Sequence, residues 1–343
     1  DAEVVVADIY ETAFPDCYDM VYMLYSSLVG KGGMLYNWAY NKTVSNKKEG
    51  DAACKNPITN HMLKRLDLLL NQLQPDVVIA TYSLCAHLMS LYKCLTGDKV
   101  PLITCITDVT THNVWINEET DLYMVAARCT QESLLAQGIP AARIAVTGIP
   151  VKSKFQTPFS LAADGGRRQR ELLIMGGGLG LLPTDKEFYE ALNQMADLHT
   201  TIITGKNEKL LRKLAGKYQN IQVLGFTDQV DQYMRRADLM ITKPGGISMF
   251  EAIHSELPML IFRPFLEQEI KNGEYIEANG LGVVLEKEPE NAMTEIKDIL
   301  QDQALLQQMK DNMHRVKLEL DPQALIRFLT LCETKNPNRE RVA

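Results

Sequence analysis

Strand patterns alternate with helix patterns along most of the 343 residues, a stretch rich in Gly, Pro and charge interrupts the alternation midway, and apolar residues make up 46% of the chain. Together these predict an α/β protein with two domains, each built on a doubly wound parallel sheet.

The second half reads most cleanly. ELLIMGGG, TIITG, IQVLGF, LMITK, PMLIFR and GVVLE have the continuous apolar character of strands covered on both faces, and DKEFYEALNQMA, EKLLRKLAGKY and DQVDQYMRRA between them have helical spacing. In the first half, VVVADIY, DVVIATYS, PLITCITD, LYMVAA and IAVTG read as strands, and HMLKRLDLLLNQL and TQESLLAQG as helices. SKFQTPFSLAADGGRRQR breaks both periods and reads as a linker. The expected division is a first domain over 1–150, a second over 151–320, and a helix in 321–343 packing back on the first. Asp1 already lies inside an apparent strand, so native residues are expected to precede it.

The net charge of −7 argues against a general nucleic-acid binder. Seven scattered cysteines without a C-x-x-C pair point to neither a disulfide framework nor a zinc site, and fit a reducing cytoplasm. No apolar run is long enough to span a bilayer, and no secretory signal is visible.

Ligands of open α/β sheets gather at the carboxyl ends of strands, and three such ends stand out. In ITKPGGISMFEA, residues 241 to 252, a strand enters a helix through Gly245 and Gly246. The first N–H groups of a helix lack internal partners and carry partial positive charge, and glycines let an anion approach them closely. A diphosphate there would meet Gly245, Gly246, Ile247 and Ser248, with Glu251 placed to accept hydrogen bonds from a ribose diol. The same stretch also reads as an ordinary tight strand-to-helix turn with Glu251 complementing the dipole. GGGLG, residues 176 to 180, exposes backbone at Gly177 and Gly178. LGFTDQV offers Gly225 and Phe226 to a flat base. Three such loops on successive strand ends fit a nucleotide lying along one rim.

GGGLG, LGF, ITKPGGISMFEA and PFLEQEIKNGEYIEANGLGVV resemble the carboxyl half of the bacterial diacylglycerol glucosyltransferases and plant monogalactosyldiacylglycerol synthases, relatives of the lipid II-forming N-acetylglucosaminyltransferase. TDVTTHNVW and VTGIPV are similar to the amino half of the lipid enzymes. The resemblance covers nearly the whole chain. It implies a GT-B fold of glycosyltransferase family 28 type, an inverting mechanism, a UDP-sugar donor in the carboxyl domain and a diacylglycerol-type acceptor at the amino domain. It assigns Gly245 and Gly246 to the diphosphate, Glu251 to the ribose, Phe226 to the uracil, and Gln268 and Glu269 to the donor sugar. Asn272 either touches the sugar or orients that pair.

The family's base histidine lies in a G-x-G-H loop that would precede Asp1. Within the chain, Asp108 and His112 are the candidates for that role, as partners or with Asp108 itself the base; they read equally as a strand-end cap and a surface loop residue. The chain contains no Asp-x-Asp, so no metal and no cofactor is expected, the helix N-terminus at Gly246 taking the leaving-group charge. Lys243 either adds charge there or is a solvated lysine.

Residues 18 to 48 gather tyrosines with Trp38 and Tyr40 and run into Lys42, Lys47 and Lys48. An amphipathic, aromatic and basic segment matches docking on an anionic membrane surface at the cytoplasmic face; the alternative is a helical pair with its aromatics in the core. The resulting expectation is a peripheral enzyme moving glucose or galactose from UDP to diacylglycerol or a glycosyl-diacylglycerol. Transfer to a polyprenyl-linked lipid, epimerisation on the same scaffold and UDP-sugar sensing without turnover are the rivals.

Overall fold

The computed structural model describes residues 2–18, 20, 56–111, 113–157, 169–183, 185–264, 266–286 and 292–335. His112, Trp38, Tyr40, Lys42, Lys47 and Lys48 lie outside them. The chain divides into two compact units, Asp1–Ile149 with Asp321–Ala343, and Pro150–Leu320.

The first unit opens not with a strand but with helix α1 (Ile9–Ala13). Val4, Val5 and Val6 are exposed, whereas Asp8 caps the helix by accepting hydrogen bonds from the Tyr10 and Glu11 N–H groups. A capping aspartate competes with strand geometry at this point and wins. The α1 carbonyls are then taken up by helix α2 (Pro57–Leu73): His61 Nε2 lies 2.8 Å from the Ala13 oxygen and Arg65 Nε donates to Thr12 at 3.0 Å. Four parallel strands follow in the spatial order β1 (Val78–Ala80), β2 (Leu102–Cys105), β3 (Leu122–Val125), β4 (Ile144–Val146).

Between β1 and β2 stands helix α3 (Ser83–Thr96), which the strand-centred reading of this region passed over. Its Ala86, Met89 and Tyr92, with Leu88 beside them, are buried at helical spacing, and Gly97 ends it at φ 74°. Helix α4 (Arg128–Ala136) joins β3 to β4. The C-terminal helix Ala324–Lys335 belongs to this unit, with Leu325, Phe328 and Leu329 packed against Ile103, Cys105, Leu122 and Met124.

The second unit begins with a short helix α5 (Ser153–Gln156), inside the stretch that reads as a linker. Phe155 is buried, the Lys154 ammonium lies 2.8 Å from Asp231 Oδ1, and Arg235 donates to the Lys154 carbonyl. This turn is therefore fastened to the second unit. Six parallel strands follow: β5 (Arg170–Met175), β6 (Leu198–Ile203), β7 (Ile221–Leu224), β8 (Leu239–Thr242), β9 (Met259–Ile261) and β10 (Gly282–Val284). Helices α6 (Lys186–Asn193), α7 (Glu208–Leu214), α8 (Val230–Arg236), α9 (Gly246–Ser255) and α10 (Glu267–Ala278) connect them, and α11 (Met293–Gln301) and α12 (Gln303–Leu318) close the unit.

The spatial order is β10-β9-β8-β5-β6-β7. The chain winds outward from β5 to β7, returns to β8 on the other side of β5, and winds outward again. This makes the gap beyond β5 and β8 the topological switch point, where the flanking connections leave in opposite directions and open a crevice. Leu172, Ile174, Ile202, Leu239, Ile241 and Leu260 are buried in one continuous core, which holds the strand ends at fixed heights.

Candidate functional site

Strand register sets the rim. Met175 pairs with Thr242 on β8 and with Ile203 on β6, and Ile203 pairs with Leu224 on β7. Gly176, Lys243, Thr204 and Gly225 consequently leave the sheet side by side. The glycine loops belong to β5, β7 and β8, and β6 stands between β5 and β7, so they do not occupy three neighbouring strands. The end of β6, Thr204 with Gly205, is a fourth contributor that the sequence reading missed. A strand ending TG before an Asn-capped helix was the available signal.

The GGGLG turn is built by its glycines. Gly177 and Gly180 have φ of +67° and +61°, and the turn closes through Gly180 N–H to Gly177 O and Leu181 N–H to Gly176 O, both 3.0 Å. It rests on the end of β6, where Lys206 N–H donates to Gly178 O at 3.1 Å and Asn207 Nδ2 to Gly180 O at 3.0 Å.

Across the switch point, Gly245 is the extended N-cap of α9. The first helical hydrogen bond runs from Met249 N–H to Gly245 O at 2.9 Å. The N–H groups of Gly246, Ile247 and Ser248 precede it, at the positive end of the helix dipole. Glu251 lies in the next turn and is half-buried. Desolvation pushes its carboxyl up to about 7, against the pull of Lys152 and Lys154. Burial thus outweighs the help expected from the helix start.

Helix α10 braces the same loop. Glu269 is 5% exposed and Asn272 1% exposed, one turn apart on the buried face. Glu269 Oε1 lies 2.6 Å from Lys243 Nζ, and Asn272 Nδ2 donates to the Pro244 carbonyl at 2.9 Å. Lys243 is half-buried and ion-paired rather than a free, fully solvated lysine. Gln268, one residue earlier, is half-buried. Phe226 projects from the end of β7 with 74% of its surface exposed, and Ile247 is also exposed.

Asp108 belongs to the first unit. It is half-buried just past β2, beside Val109, whose carbonyl accepts a hydrogen bond from Thr130 Oγ1 at 2.5 Å. The structure therefore brings Gly177, Gly178, Gly245, Gly246, Ile247, Ser248, Glu251, Glu269 and Asn272 to the switch-point end of one unit, with Phe226 two strands away and Asp108 in the other unit.

Chains of known structure share this architecture. MurG of Acinetobacter baumannii is 16% identical, with 80% of each chain covered and a TM-score of 0.58. The calicheamicin glycosyltransferase CalG4 is 14% identical, with 84% of this chain and 85% of that one covered and a TM-score of 0.60. The S. aureus MnaA–UDP co-structure is 17% identical, with 83% of each chain covered and a TM-score of 0.58. The fold is GT-B. In sequence, residues 1–151 match the monogalactosyldiacylglycerol (MGDG) synthase family and residues 172–321 the glycosyltransferase family 28 C-terminal domain. Over 323 residues the chain is 31% identical to the processive diacylglycerol beta-glucosyltransferases of Bacillus thuringiensis (strain Al Hakam) and Bacillus anthracis (strain A0248), with 92% of this chain and 82% of each relative covered. The chain belongs to the diacylglycerol glycosyltransferase family.

Proposed function

We propose that this chain is an inverting hexosyltransferase that moves glucose or galactose from a UDP-sugar to diacylglycerol or a glycosyl-diacylglycerol in membrane glycolipid synthesis. The observation that carries the donor reading is the switch point of the second unit. There the glycine turn after β5 and the Gly245–Gly246 N-terminus of α9 leave adjacent strand ends, and a half-buried carboxyl follows one helical turn later. A diphosphate takes the N–H groups of Gly246, Ile247 and Ser248; Glu251 accepts from the ribose diol; the Phe226 ring offers a face to the uracil.

The acceptor oxygen attacks the anomeric carbon from the side opposite UDP, and negative charge grows on the departing diphosphate. The α9 N–H groups stabilise it, being fixed in place before the reaction. On this reading no metal and no other cofactor takes part. Within the chain, Asp108 and His112 are the candidates for taking the acceptor proton. The acceptor class follows from the family, whose curated members are named for diacylglycerol. Trp38, Tyr40, Lys42, Lys47 and Lys48 dock the enzyme on the anionic cytoplasmic face. No helix among the described residues is long and apolar enough to cross a membrane.

The test is to incubate the chain with each UDP-hexose and vesicles containing diacylglycerol, and to weigh the lipid product. A mass gain of one or more hexoses on diacylglycerol is expected. Release of UDP without a glycolipid, or transfer confined to a polyprenyl phosphate acceptor, would overturn the proposal.

A further inference from the structure

The stretch between β2 and β3 carries Asp108 and runs through Thr111 to the single turn Asn113–Trp115. It is laid along helix α4 and held there at three points. Trp115 shares a buried cluster with Leu134. Ser133 meets Thr111, their hydroxyl oxygens 2.5 Å apart. Thr130 Oγ1 donates to the Val109 carbonyl at 2.5 Å, and the Cys129 thiol donates to the same oxygen with Sγ 3.6 Å away.

Thr130, Ser133 and Leu134 stand at i, i+3 and i+4, so they form one stripe of the helix. A stripe that faces the interior is ordinarily apolar, yet two of these three positions carry hydroxyls. Thr130 is fully buried at 0% exposure, and Ser133 is half-buried. A helical threonine often spends its hydroxyl on a carbonyl of its own preceding turn. This one bonds a carbonyl 21 residues earlier in the chain. Valine would fill the same volume without a polar group to bury, so what the hydroxyl contributes is the bond itself.

The bond sets the place of Asp108. Val109 is 1% exposed, so its side chain and its carbonyl are both held, and Asp108 is the half-buried residue immediately before it. A base works only within hydrogen-bond reach of the proton it takes, and a misplacement of about 1 Å can cost a large part of the rate.

We propose that Thr130 and Ser133 are positioning residues for acceptor deprotonation, holding the loop that carries Asp108 through the Val109 carbonyl and through Thr111. In the step they serve, the acceptor hydroxyl gives its proton to the Asp108 carboxylate as its oxygen bonds the anomeric carbon, and UDP leaves with the electrons of the broken C–O bond. This rests on the candidacy of Asp108 above and extends that site to α4.

Thr130→Val removes the hydroxyl at nearly constant volume, Thr130→Ser keeps it, and Ser133→Ala removes the second tie. Transfer of hexose to diacylglycerol is measured for each, with active sites counted by UDP calorimetry so that misfolded protein drops out of the rate. In Thr130→Val, kcat per site should fall on the order of tenfold, with UDP affinity and the KM for the UDP-sugar at wild-type values. Ser133→Ala should lose less, and Thr130→Ser should recover most of the rate. In an Asp108→Asn background Thr130→Val should add no further loss, because it acts through that carboxylate. A wild-type kcat in Thr130→Val, a loss that Thr130→Ser does not recover, weakened UDP affinity, or losses that add fully to Asp108→Asn would each overturn the proposal. Asp108→Asn with a wild-type kcat would overturn the candidacy of Asp108 itself.

Discussion

A Cβ on Gly180 would sit 1.9 Å from the carbonyl oxygen of Thr204, so the turn after β5 lies directly on the end of β6. Backbone cannot yield as the tip of a flexible side chain can. Gly180→Ala combines this clash with a φ of +61° and is expected to destabilise the second unit by about 3 kcal/mol. Gly138→Ala is the control: its φ is +88° but nothing lies within 4 Å, so only backbone strain, about 1 kcal/mol, applies. Denaturation midpoints of the two variants measure the difference; equal midpoints would contradict the close approach.

Glu251 is expected to make donor binding pH-dependent. Burial favours its protonated form, so its folded pKa, about 7, lies above the unfolded value. Its contribution to stability is complete below the ordinary carboxylate range and is lost as pH rises through about 7. Ribose binding runs the other way, because only the carboxylate accepts from both hydroxyls. UDP-sugar affinity should therefore rise between pH 5.5 and 8, over a range where the diphosphate diester itself does not titrate. Glu251→Gln should flatten the profile and, at pH 8, weaken binding by roughly 1 to 3 kcal/mol. Titration calorimetry across pH reads both effects.

Transfer should survive removal of divalent metal, because the α9 N-terminus supplies fixed positive charge where the leaving group needs it. Turnover measured in excess EDTA should match turnover in buffer alone. Abolition by EDTA with recovery on adding Mg²⁺ or Mn²⁺ would contradict this.

Docking through residues 18 to 65 should respond to salt and to charge together. Each basic side chain near an anionic surface contributes about 1 kcal/mol, screened over about 8 to 10 Å at physiological salt. Replacing Lys42, Lys47 and Lys48 by Gln should reduce sedimentation with phosphatidylglycerol vesicles at low salt and leave UDP affinity unchanged. Equal sedimentation of wild type and variant would remove these lysines from the docking surface.

What could be read from the sequence was local. Each of the six strands of the second unit overlaps one of the six apolar runs, β5 starting one residue and β6 three residues earlier than its run, because a parallel strand covered on both faces has few other sequences open to it. Gly177 and Gly180 in the turn after β5 were visible for the same reason, since few other residues tolerate a positive φ, whereas Gly245 caps α9 with an extended backbone open to other residues. Long-range order was less visible. Nothing local says that β8 returns to the far side of β5, or that β6 stands between β5 and β7. The Lys243–Glu269 pair joins residues 26 apart in sequence and exists only because α10 crosses the end of β8. At Val4–Val6 the apolar run was real, but the Asp8 cap starts a helix immediately after it.

The most direct test of the donor site is a crystal structure of the chain with UDP. The diphosphate oxygens should lie within hydrogen-bond distance, about 2.7 to 3.2 Å, of the Gly246, Ile247 or Ser248 N–H groups. The ribose hydroxyls should lie on Glu251 and the uracil against Phe226. UDP bound elsewhere in the second unit, or in the first unit, would contradict the account.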